Sequence, residues 1–382
     1  MIESSKSSSG DVLRYGMVGG GPGSFIGDVH RKSIGLQGNM ILVAGSFSSD
    51  YEETLETAEN LHVDKERAYK NYKEMAEKES KREDCIDFVS IVTPNFLHYD
   101  VAKTFLEQGI NVVCEKPMVF KIEEAEELEK IATEKGLIFA VSYTYSGNVM
   151  VKQAKEMVDN GEIGEVRMVM GEYPQDWLAT KLENEGNRQA SWRTDPSKAG
   201  VSNVVGDIGS HIENTVAFIT GLKIKKLCAV LDTFVEGRAL DDNAQILVKY
   251  ENGASGVYWC SQIAIGNDNG LKVRIYGTKG SLEWEQEDPN HLKFTKLGEN
   301  PIIMSRGRAG MTELAEKYSR IPAGHPEGYF EAYANLYSAI YQKLINKNSG
   351  IEFTTVSDGL NGVKFINKVV ESHKKGNVWV EL

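Results

Sequence analysis

Hydrophobic and polar positions alternate differently in the two halves of the chain. From residue 14 to residue 142, short apolar runs alternate with amphipathic stretches, and the runs are too continuous for strands with one wet face. The pattern predicts strands at 14–18, 40–44, 88–92, 111–114 and 138–142, separated by helices at 30–35, 51–61, 71–81, 98–107 and 122–134. This alternation predicts an α/β domain with a doubly wound parallel sheet.

The pattern changes after about residue 143, where longer segments alternate apolar and polar positions residue by residue. A helix at 149–160 precedes predicted strands at 165–173, 225–235, 244–250, 256–262, 271–276 and 281–284. We therefore expect an open, mainly antiparallel sheet, with helices at 207–220 and 327–345 available to cover one face. The resulting prediction is a disordered tail over 1–13, a first domain over 14–143 and a second domain over 144–382.

The length, net charge and cysteine content of the chain limit the binding partners and the compartment that can be expected. The chain has 382 residues, enough for two cores, and a formal net charge of −12. That charge argues against nucleic acid or an anionic membrane as partner, since both require a basic surface. No run reaches the roughly 18–20 apolar residues of a membrane span, and the first residues lack the apolar core of a signal peptide. Four dispersed cysteines indicate free thiols in a reducing cytoplasm, without a metal site.

A glycine-rich segment, from Gly19 to Gly27, follows the first predicted strand and opens a helix. Glycines there permit a tight turn and bring backbone N–H groups close to a phosphate at a helix N-terminus. A strict G-x-G-x-x-G does not fit from Gly19, because position 24 is Ser. The location in a strand–loop–helix unit nonetheless indicates a dinucleotide site. Its candidate residues are Gly19, Gly21, Ser24, Phe25 and Ile26.

The end of the second strand bears on the kind of dinucleotide. An acidic residue there holds the ribose 2′-hydroxyl of NAD, whereas a basic residue favours the 2′-phosphate of NADP. Ser46, Ser48 and Ser49 occupy this region, without an adjacent Arg or Lys. We therefore expect NAD(P)(H) as cofactor, with the choice between NAD and NADP open.

Two later loops end predicted parallel strands and so face the same ligand crevice. The first carries Thr93, Pro94, Asn95 and His98, although Asn95 can also serve as a helix N-cap. The second is Glu115-Lys116-Pro117, in which the proline biases Lys116 towards extended geometry. A lysine held there can contact ribose and substrate, and its charge would lower the pKa of a nearby imidazole.

Asp207 and His211 stand four residues apart in a segment with helical apolar spacing. Side chains at that spacing share one helix face, and a carboxylate beside an imidazole can move a proton near neutral pH. A surface ion pair is the alternative interpretation.

A cluster of aromatic and polar residues lies between the two predicted domains. Aromatic faces with several hydrogen-bond donors and acceptors suit a sugar or polyol, although Trp177 and Trp192 can also simply pack a loop. The candidate substrate residues are Tyr145, Trp177, Asp207 and His211, and Trp192-Arg193 is the remaining segment of interest.

These motifs, in this order and spacing, resemble the Gfo/Idh/MocA oxidoreductases over residues 14 to about 382. The resemblance implies an N-terminal Rossmann domain, a C-terminal α/β domain with an open sheet, and NAD(P)-linked oxidation or reduction of sugars and cyclitols. It also implies that Lys116, Asp207 and His211 are catalytic. In longer members of the family, a segment similar to Trp192-Arg193 reaches the nicotinamide and substrate. Members commonly pair their C-terminal sheets into homodimers or homotetramers.

Three functions fit these residues. The first is a dehydrogenase acting on a secondary alcohol of a sugar or inositol. The second is a glycosidase that oxidises C3 transiently and uses NAD without net turnover. The third is a non-catalytic sensor of dinucleotides or sugars, which would have no need of Lys116, Asp207 and His211 as proton machinery.

Overall fold

The structure, a computed structural model, describes residues 12–382, so most of the predicted tail lies outside the described residues. The first region contains five strands and five helices in alternation. They are β1 (Leu13–Gly19), α1 (Phe25–Gly35), β2 (Met40–Ser46), α2 (Tyr51–Asn60), α3 (Tyr72–Glu79), β3 (Phe88–Val92), α4 (His98–Glu107), β4 (Asn111–Cys114), α5 (Ile122–Lys135) and β5 (Phe139–Val141).

The five strands form a parallel sheet in the order β2-β1-β3-β4-β5. Both faces of this sheet are buried. In β3, Phe88 enters one core, whereas Val89 and Ile91 enter a second core on the opposite side. The predicted doubly wound domain is confirmed, and the carboxyl ends of its strands form one edge.

The second region is mainly β-structure with helices before and after it. Its elements are α6 (Val149–Asp159), β6 (Val166–Pro174), α7 (Arg188–Arg193), α8 (Pro196–Ala199), α9 (Ser210–Thr220), β7 (Ile224–Asp232), β8 (Asn243–Tyr250), β9 (Ser255–Ser261), β10 (Lys272–Gly277), β11 (Gly280–Glu285), β12 (His291–Lys296), β13 (Ile302–Ser305), α10 (Glu313–Tyr318), α11 (Tyr329–Ile345), α12 (Val356–Lys374) and β14 (Val380–Glu381).

Nine strands form one sheet in the order β13-β12-β11-β10-β6-β9-β8-β7-β14. Neighbours are antiparallel except β6 and β9, which run parallel. In β8, Ile246 and Val248 point into the core, whereas Leu247 between them is 48% exposed. Helices α6, α9 and α12 pack on the buried side. The predicted open, mainly antiparallel sheet is confirmed, with one face left uncovered.

The position of α11 differs from the prediction that this helix covers the large sheet. Its main neighbours are α1 and a short 3₁₀ turn at Thr144–Gly147. A Cβ atom on Gly147 would lie 2.0 Å from the carbonyl oxygen of Ala332, so the two backbones touch. The helix therefore returns the chain to the first domain, close to the strand ends that carry the crevice.

Three absences apply to the part of the chain that the structure describes. No helix there is long and apolar enough to cross a bilayer. Within the same residues, no group of three or more His, Cys, Asp or Glu side chains could hold a metal ion. All four cysteines lie in this part and are unpaired, and Cys114 and Cys260 are buried.

One charged side chain on α6 is fully enclosed. The Nζ atom of Lys152 donates to the carbonyl of Glu352 at 3.1 Å and lies 4.2 Å from the centre of the Tyr318 ring. Burial removes water from the ammonium group and lowers the pKa of Lys152 to about 7. The Lys152 side chain thus links α6 to the segment before α12, and its burial favours the neutral form of the amine.

This lysine gives folding a specific pH dependence. In the unfolded chain a lysine stays protonated up to a pKa of about 10.4, so between pH 7 and 10 the unfolded state binds more protons and stability rises with pH. We expect Lys152→Met to flatten that rise by about 1 kcal/mol per pH unit. Urea unfolding at pH 7, 8 and 9 measures the slope, and Lys130→Met, at an exposed lysine of α5, is the control. Equal slopes in all three proteins would contradict the assignment.

Candidate active site

The glycine loop packs tightly on the ends of β2 and β3. Gly19 and Gly20 have φ angles of +85° and +82°, which only glycine adopts easily. The Gly21 amide donates to the Phe47 carbonyl at 3.0 Å. A Cβ atom on Gly19 would lie 2.9 Å from the Val92 carbonyl oxygen. The loop therefore runs along the carboxyl edge of the parallel sheet without room for side chains.

Helix α1 begins directly after this loop. The Ser24 hydroxyl caps the helix by accepting the Gly27 amide at 3.2 Å. Phe25 is 67% exposed, whereas Ile26 packs against the core. Arg31 donates from Nη1 to the Gly20 carbonyl at 2.8 Å and supports the loop from below. Sequence analysis missed Arg31, because the sequence does not show which loop an arginine on a helix contacts.

These features fit a dinucleotide. A closely packed glycine turn leads into a helix whose first-turn amides lack intrahelical acceptors, which is the arrangement that binds a pyrophosphate. At the end of β3, the Thr93 hydroxyl oxygen is buried and has no hydrogen-bond partner within residues 12–382. A polar ligand in the crevice would satisfy it.

Acidic side chains surround the serines after β2. The Ser48 hydroxyl donates to Glu53 Oε2 at 2.6 Å and accepts the Asp50 amide at 3.1 Å. Asp50 in turn caps α2. Ser46 is buried at the end of β2, and Ser49 is exposed. Sequence analysis placed no acid at this end, because Glu53 reaches it from the next helix.

His98 does not present its ring to a ligand, contrary to its selection as a cofactor residue. Nδ1 lies 2.9 Å from the Pro117 carbonyl and Nε2 lies 2.9 Å from the Thr93 carbonyl. Both nitrogens are thus engaged, and the buried ring holds the two crevice loops together. Pro94 and Asn95 lie in the first of these loops, and Asn95 makes no capping hydrogen bond to α4.

Lys116 crosses from the first domain to the second. Its Nζ atom donates to the Asp207 carbonyl at 2.7 Å and to Asp207 Oδ1 at 3.1 Å. The side chain is only 16% exposed. The residue at the end of β4 is thereby fixed against the segment that precedes α9.

Asp207 accepts two further side-chain donors at Oδ2. Arg193 Nε lies at 2.9 Å and Gln262 Nε2 at 2.8 Å. Burial alone would raise the pKa of Asp207, but Arg193 and Lys116 outweigh it and hold the pKa below its usual range. The carboxylate is therefore an ionised anchor for its neighbours. Gln262 is fully buried and was missed, because it follows β9, far away in the sequence.

Asp207 and His211, expected as neighbours on one helix face, have different direct partners in the structure. Residues Val205–Gly209 form a π-helical turn, and the α-helix begins only at Ser210. The Asp207 carboxylate binds Lys116, Arg193 and Gln262. Within the described residues, no hydrogen bond joins Asp207 to His211.

His211 instead lies in an aromatic enclosure. Its ring centre is 4.8 Å from that of Tyr145, 5.6 Å from Tyr143 and 6.1 Å from Tyr173. Nδ1 is buried and unpaired among the residues described. Burial, followed by the charge of Lys116, lowers the pKa of His211 well below its usual value, although Asp207 partly opposes this. The imidazole is therefore neutral at pH 7 and able to accept a proton.

A hydrogen-bonded set of hydroxyl and amide groups extends from the tyrosines that surround His211. The hydroxyls of Tyr145 and Tyr173 lie 2.5 Å apart, and Tyr173 donates to Asn269 Oδ1 at 2.6 Å. Gln175 also donates to Asn269, at 2.8 Å, and accepts from Trp177 Nε1 at 3.0 Å. Asn269 was missed, since a single loop asparagine carries no motif.

The Trp192-Arg193 segment joins this cluster to the charged centre. The Arg193 guanidinium lies 4.1 Å from the Trp192 ring centre and 5.5 Å from that of Trp177, while its Nε atom holds Asp207. The site thus places a neutral imidazole, a lysine–aspartate pair and a set of polar and aromatic side chains together.

Comparison with known proteins agrees with this arrangement. The model of the oxidoreductase family with an NAD-binding Rossmann fold matches residues 13–143, and the model of the GFO/IDH/MocA C-terminal domain matches residues 151–283. An uncharacterised oxidoreductase of Bacillus subtilis, YfiI, is 39% identical over 380 residues, which cover 97% of this chain and 96% of that protein.

Solved structures of an inositol dehydrogenase homologue from Azotobacter vinelandii are similar throughout. The complex with NAD+ has a TM-score of 0.93 and 37% identity, covering 97% of this chain and 98% of that chain. The complex with NADH and myo-inositol has a TM-score of 0.90 and 36% identity, with the same coverage.

Cofactor affinity provides a test of the glycine loop. A Cβ atom on Gly21 would lie 2.8 Å from the Phe47 carbonyl oxygen, so the loop must shift in Gly21→Ala. We expect the Kd for NADH, measured by fluorescence titration, to rise about tenfold or more, equivalent to about 1.4 kcal/mol. Gly35→Ala, at the other end of α1, is the control, since its Cβ atom would meet no heavy atom within 4 Å. Unchanged affinity in Gly21→Ala would place the cofactor elsewhere.

Proposed function

The chain belongs to the Gfo/Idh/MocA family of NAD-binding oxidoreductases and is a dehydrogenase, and from that premise we propose that it oxidises or reduces a secondary alcohol of a cyclitol or sugar. The observation that carries the proposal is the neutral, buried His211, enclosed by tyrosines next to the Lys116–Asp207 pair. A proton acceptor, a cation and a polyol-binding surface are then in one place.

When bound, the nicotinamide would supply the hydride acceptor for the oxidation, and the side chains of the protein would transfer the proton. His211 takes the proton from the substrate hydroxyl, because its lowered pKa keeps the ring neutral. The Lys116 ammonium stabilises negative charge that develops on that oxygen. Asp207 holds Lys116 and Arg193 in position, which replaces the role of substrate ligand expected for it from the sequence.

The substrate class follows from the cluster beside His211. Tyr145, Tyr173 and Asn269 offer hydroxyl and amide groups, and Trp177 offers an apolar ring face. Several donors and acceptors beside aromatic faces match a ring that carries many hydroxyls. The myo-inositol complex of the Azotobacter vinelandii homologue supports a cyclitol as the first candidate.

We further propose NAD as the preferred cofactor. Glu53 and Asp50 stand beside Ser48, at the end of β2 where the adenosine ribose is expected. Their charges would repel a 2′-phosphate, whereas a carboxylate can accept the 2′-hydroxyl. The remaining contacts are proposed for Gly19, Gly21, Ser24, Phe25, Ile26, Ser46, Ser48, Ser49, Thr93, Pro94, Asn95, Lys116, Trp192 and Arg193.

A panel of inositols and hexoses, assayed for NADH and NADPH formation, tests the proposed function. We expect net NADH formation with at least one polyol. Hydrogen exchange or glycoside cleavage without net NADH would favour the glycosidase. Binding of dinucleotide without either reaction would favour the sensor.

His211→Gln tests the proton acceptor in the same assay. We expect turnover to fall by about 10²–10⁴, the usual contribution of a general base, with NADH affinity retained. In the wild type, oxidation should decline only below pH 6.5, since the pKa of His211 is lowered, and this acid limb should vanish in the variant. Full activity with an unchanged pH profile would rule out His211.

Oligomerisation is proposed through the uncovered face of the nine-stranded sheet. Met168, Val230, Leu247 and Tyr276 on this face are 36–48% exposed, which favours pairing with a second copy. We expect sedimentation to show a homodimer or homotetramer, and Leu247→Lys to shift the protein towards monomer. Leu36→Lys, at a similarly exposed leucine after α1, should leave the mass unchanged. A wild-type monomer at micromolar concentration would contradict the proposal.

We also propose a reducing, cytoplasmic compartment. Its support is that Cys85, Cys114, Cys228 and Cys260 are all unpaired.

A further inference from the structure

A buried polar network lies behind Lys116, on the side away from Asp207. Its centre is Glu115, which is 6% exposed. Glu115 Oε1 accepts His30 Nε2 at 2.8 Å and the Tyr333 hydroxyl at 2.9 Å. Glu115 Oε2 accepts the backbone amide of Lys116 at 3.0 Å. The carboxylate, expected to bind cofactor, is thus engaged by the protein itself.

The directions of these hydrogen bonds can be assigned. A carboxylate only accepts, so His30 carries a proton on Nε2. Nδ1 of His30 lies 2.6 Å from the Tyr337 hydroxyl, which in turn lies 3.0 Å from the Ser90 hydroxyl. In the neutral ring, Tyr337 then donates to Nδ1. Each member of the network has a partner.

A buried carboxylate depends on such partners. Burial alone would raise the pKa of Glu115, but the hydrogen bond from His30, the charge of Lys116 and the hydrogen bond from Tyr333 outweigh it and lower the pKa. Removing one partner of a buried charge is usually far more damaging than removing an exposed pair. The position of Glu115 is therefore determined by side chains from other elements.

Those elements come from distant parts of the chain. His30 lies on α1, which begins at the glycine loop, and Tyr333 and Tyr337 lie on α11. Helix α11 packs on α1 of the first domain and, through the contact of Ala332 with Gly147, on the turn that follows that domain. The network thus joins the cofactor helix and a C-terminal helix at the residue before Lys116.

We propose that His30 and Tyr333 are positioning residues for Lys116. They hold Glu115, Glu115 holds the Lys116 backbone, and the Lys116 side chain can then span the crevice to Asp207. This inference rests on the proposed function only in assigning Lys116 a role in turnover. The placement of Lys116 itself can be measured without substrate.

His211 reports that placement. The ionisable groups that shift its pKa are Lys116, which lowers it, and Asp207, which raises it, and Tyr143, Tyr145 and Tyr173 surround the ring. If Lys116 moves away, His211 loses a nearby positive charge and its pKa rises. A network that only stabilised the fold would leave this pKa unchanged.

The experiment is an NMR titration of the histidine rings in the full chain without ligand. His211→Gln identifies the His211 signal among the seven histidines. We expect Tyr333→Phe and His30→Leu to raise the His211 midpoint by about half a pH unit or more, as expected for losing one charge nearby. His30→Gln, whose amide can still donate to Glu115, should restore most of the wild-type value.

Tyr250→Phe is the matched control. It removes a buried tyrosine hydroxyl that lies 2.5 Å from the Tyr258 hydroxyl in the second domain, and it should leave the His211 midpoint unchanged. Tyr333→Phe keeps its ring, so its fold should persist while turnover falls about tenfold.

An unchanged His211 midpoint in both Tyr333→Phe and His30→Leu would overturn the proposal. So would an equal shift in Tyr250→Phe. A wild type without dehydrogenase activity on any polyol would refute the proposed function instead, and the titration would still test the network.

Discussion

The pairing of Lys116 with Asp207 is the interaction on which the site depends. It joins the end of a parallel strand in the first domain to a π turn in the second, and both side chains are largely removed from water. Two charges in such surroundings are stable only when their remaining hydrogen-bonding capacity is also used. Arg193 and Gln262 donate the remaining hydrogen bonds to the Asp207 carboxylate. The Asp207 carbonyl also accepts a hydrogen bond from Lys116. The result is a charged centre of fixed geometry, and the charge of Lys116 adds to the effect of burial in lowering the pKa of His211.

A second buried carboxylate, that of Glu115, also contacts Lys116. Asp207 fixes the ammonium end of Lys116, and Glu115 fixes its backbone. The two carboxylates are supported by different parts of the chain, the first by α7 and the residue after β9, the second by α1 and α11. Lys116 is therefore held at both ends, and its orientation depends on both domains. Helix α11 contributes to this support because it packs on α1 of the first domain.

Sequence periodicity predicted strands β1 to β11 but missed β12, β13 and β14, and it predicted the packing of helix α11 wrongly. Strand β3 was predicted with its observed bounds, since all five residues are buried and apolar or small. Helix α12 was missed, because Gly359 and Gly362 normally weaken a helix. In the structure these glycines permit close contact: Cβ atoms there would lie 2.7 Å from Met118 Sδ and 2.5 Å from the Tyr143 hydroxyl. The place of α11 depends on the backbone contact at Gly147, which no periodicity encodes.

The prediction of the site had a similar limit: motifs identified its residues but not the partners that those residues bind. Motifs identified Lys116, Asp207 and His211, but spacing alone did not predict that the Asp207 carboxylate binds Lys116, Arg193 and Gln262. The charged groups of the site are paired with one another, but some of its buried polar atoms have no hydrogen-bond partner. His211 Nδ1 and Thr93 Oγ1 are buried without a partner among residues 12–382. An unsatisfied buried polar atom costs about 1–3 kcal/mol, and a fold retains that cost where a ligand removes it. These two atoms lie in the regions to which substrate and cofactor are assigned, and a ligand bound there would satisfy both of them.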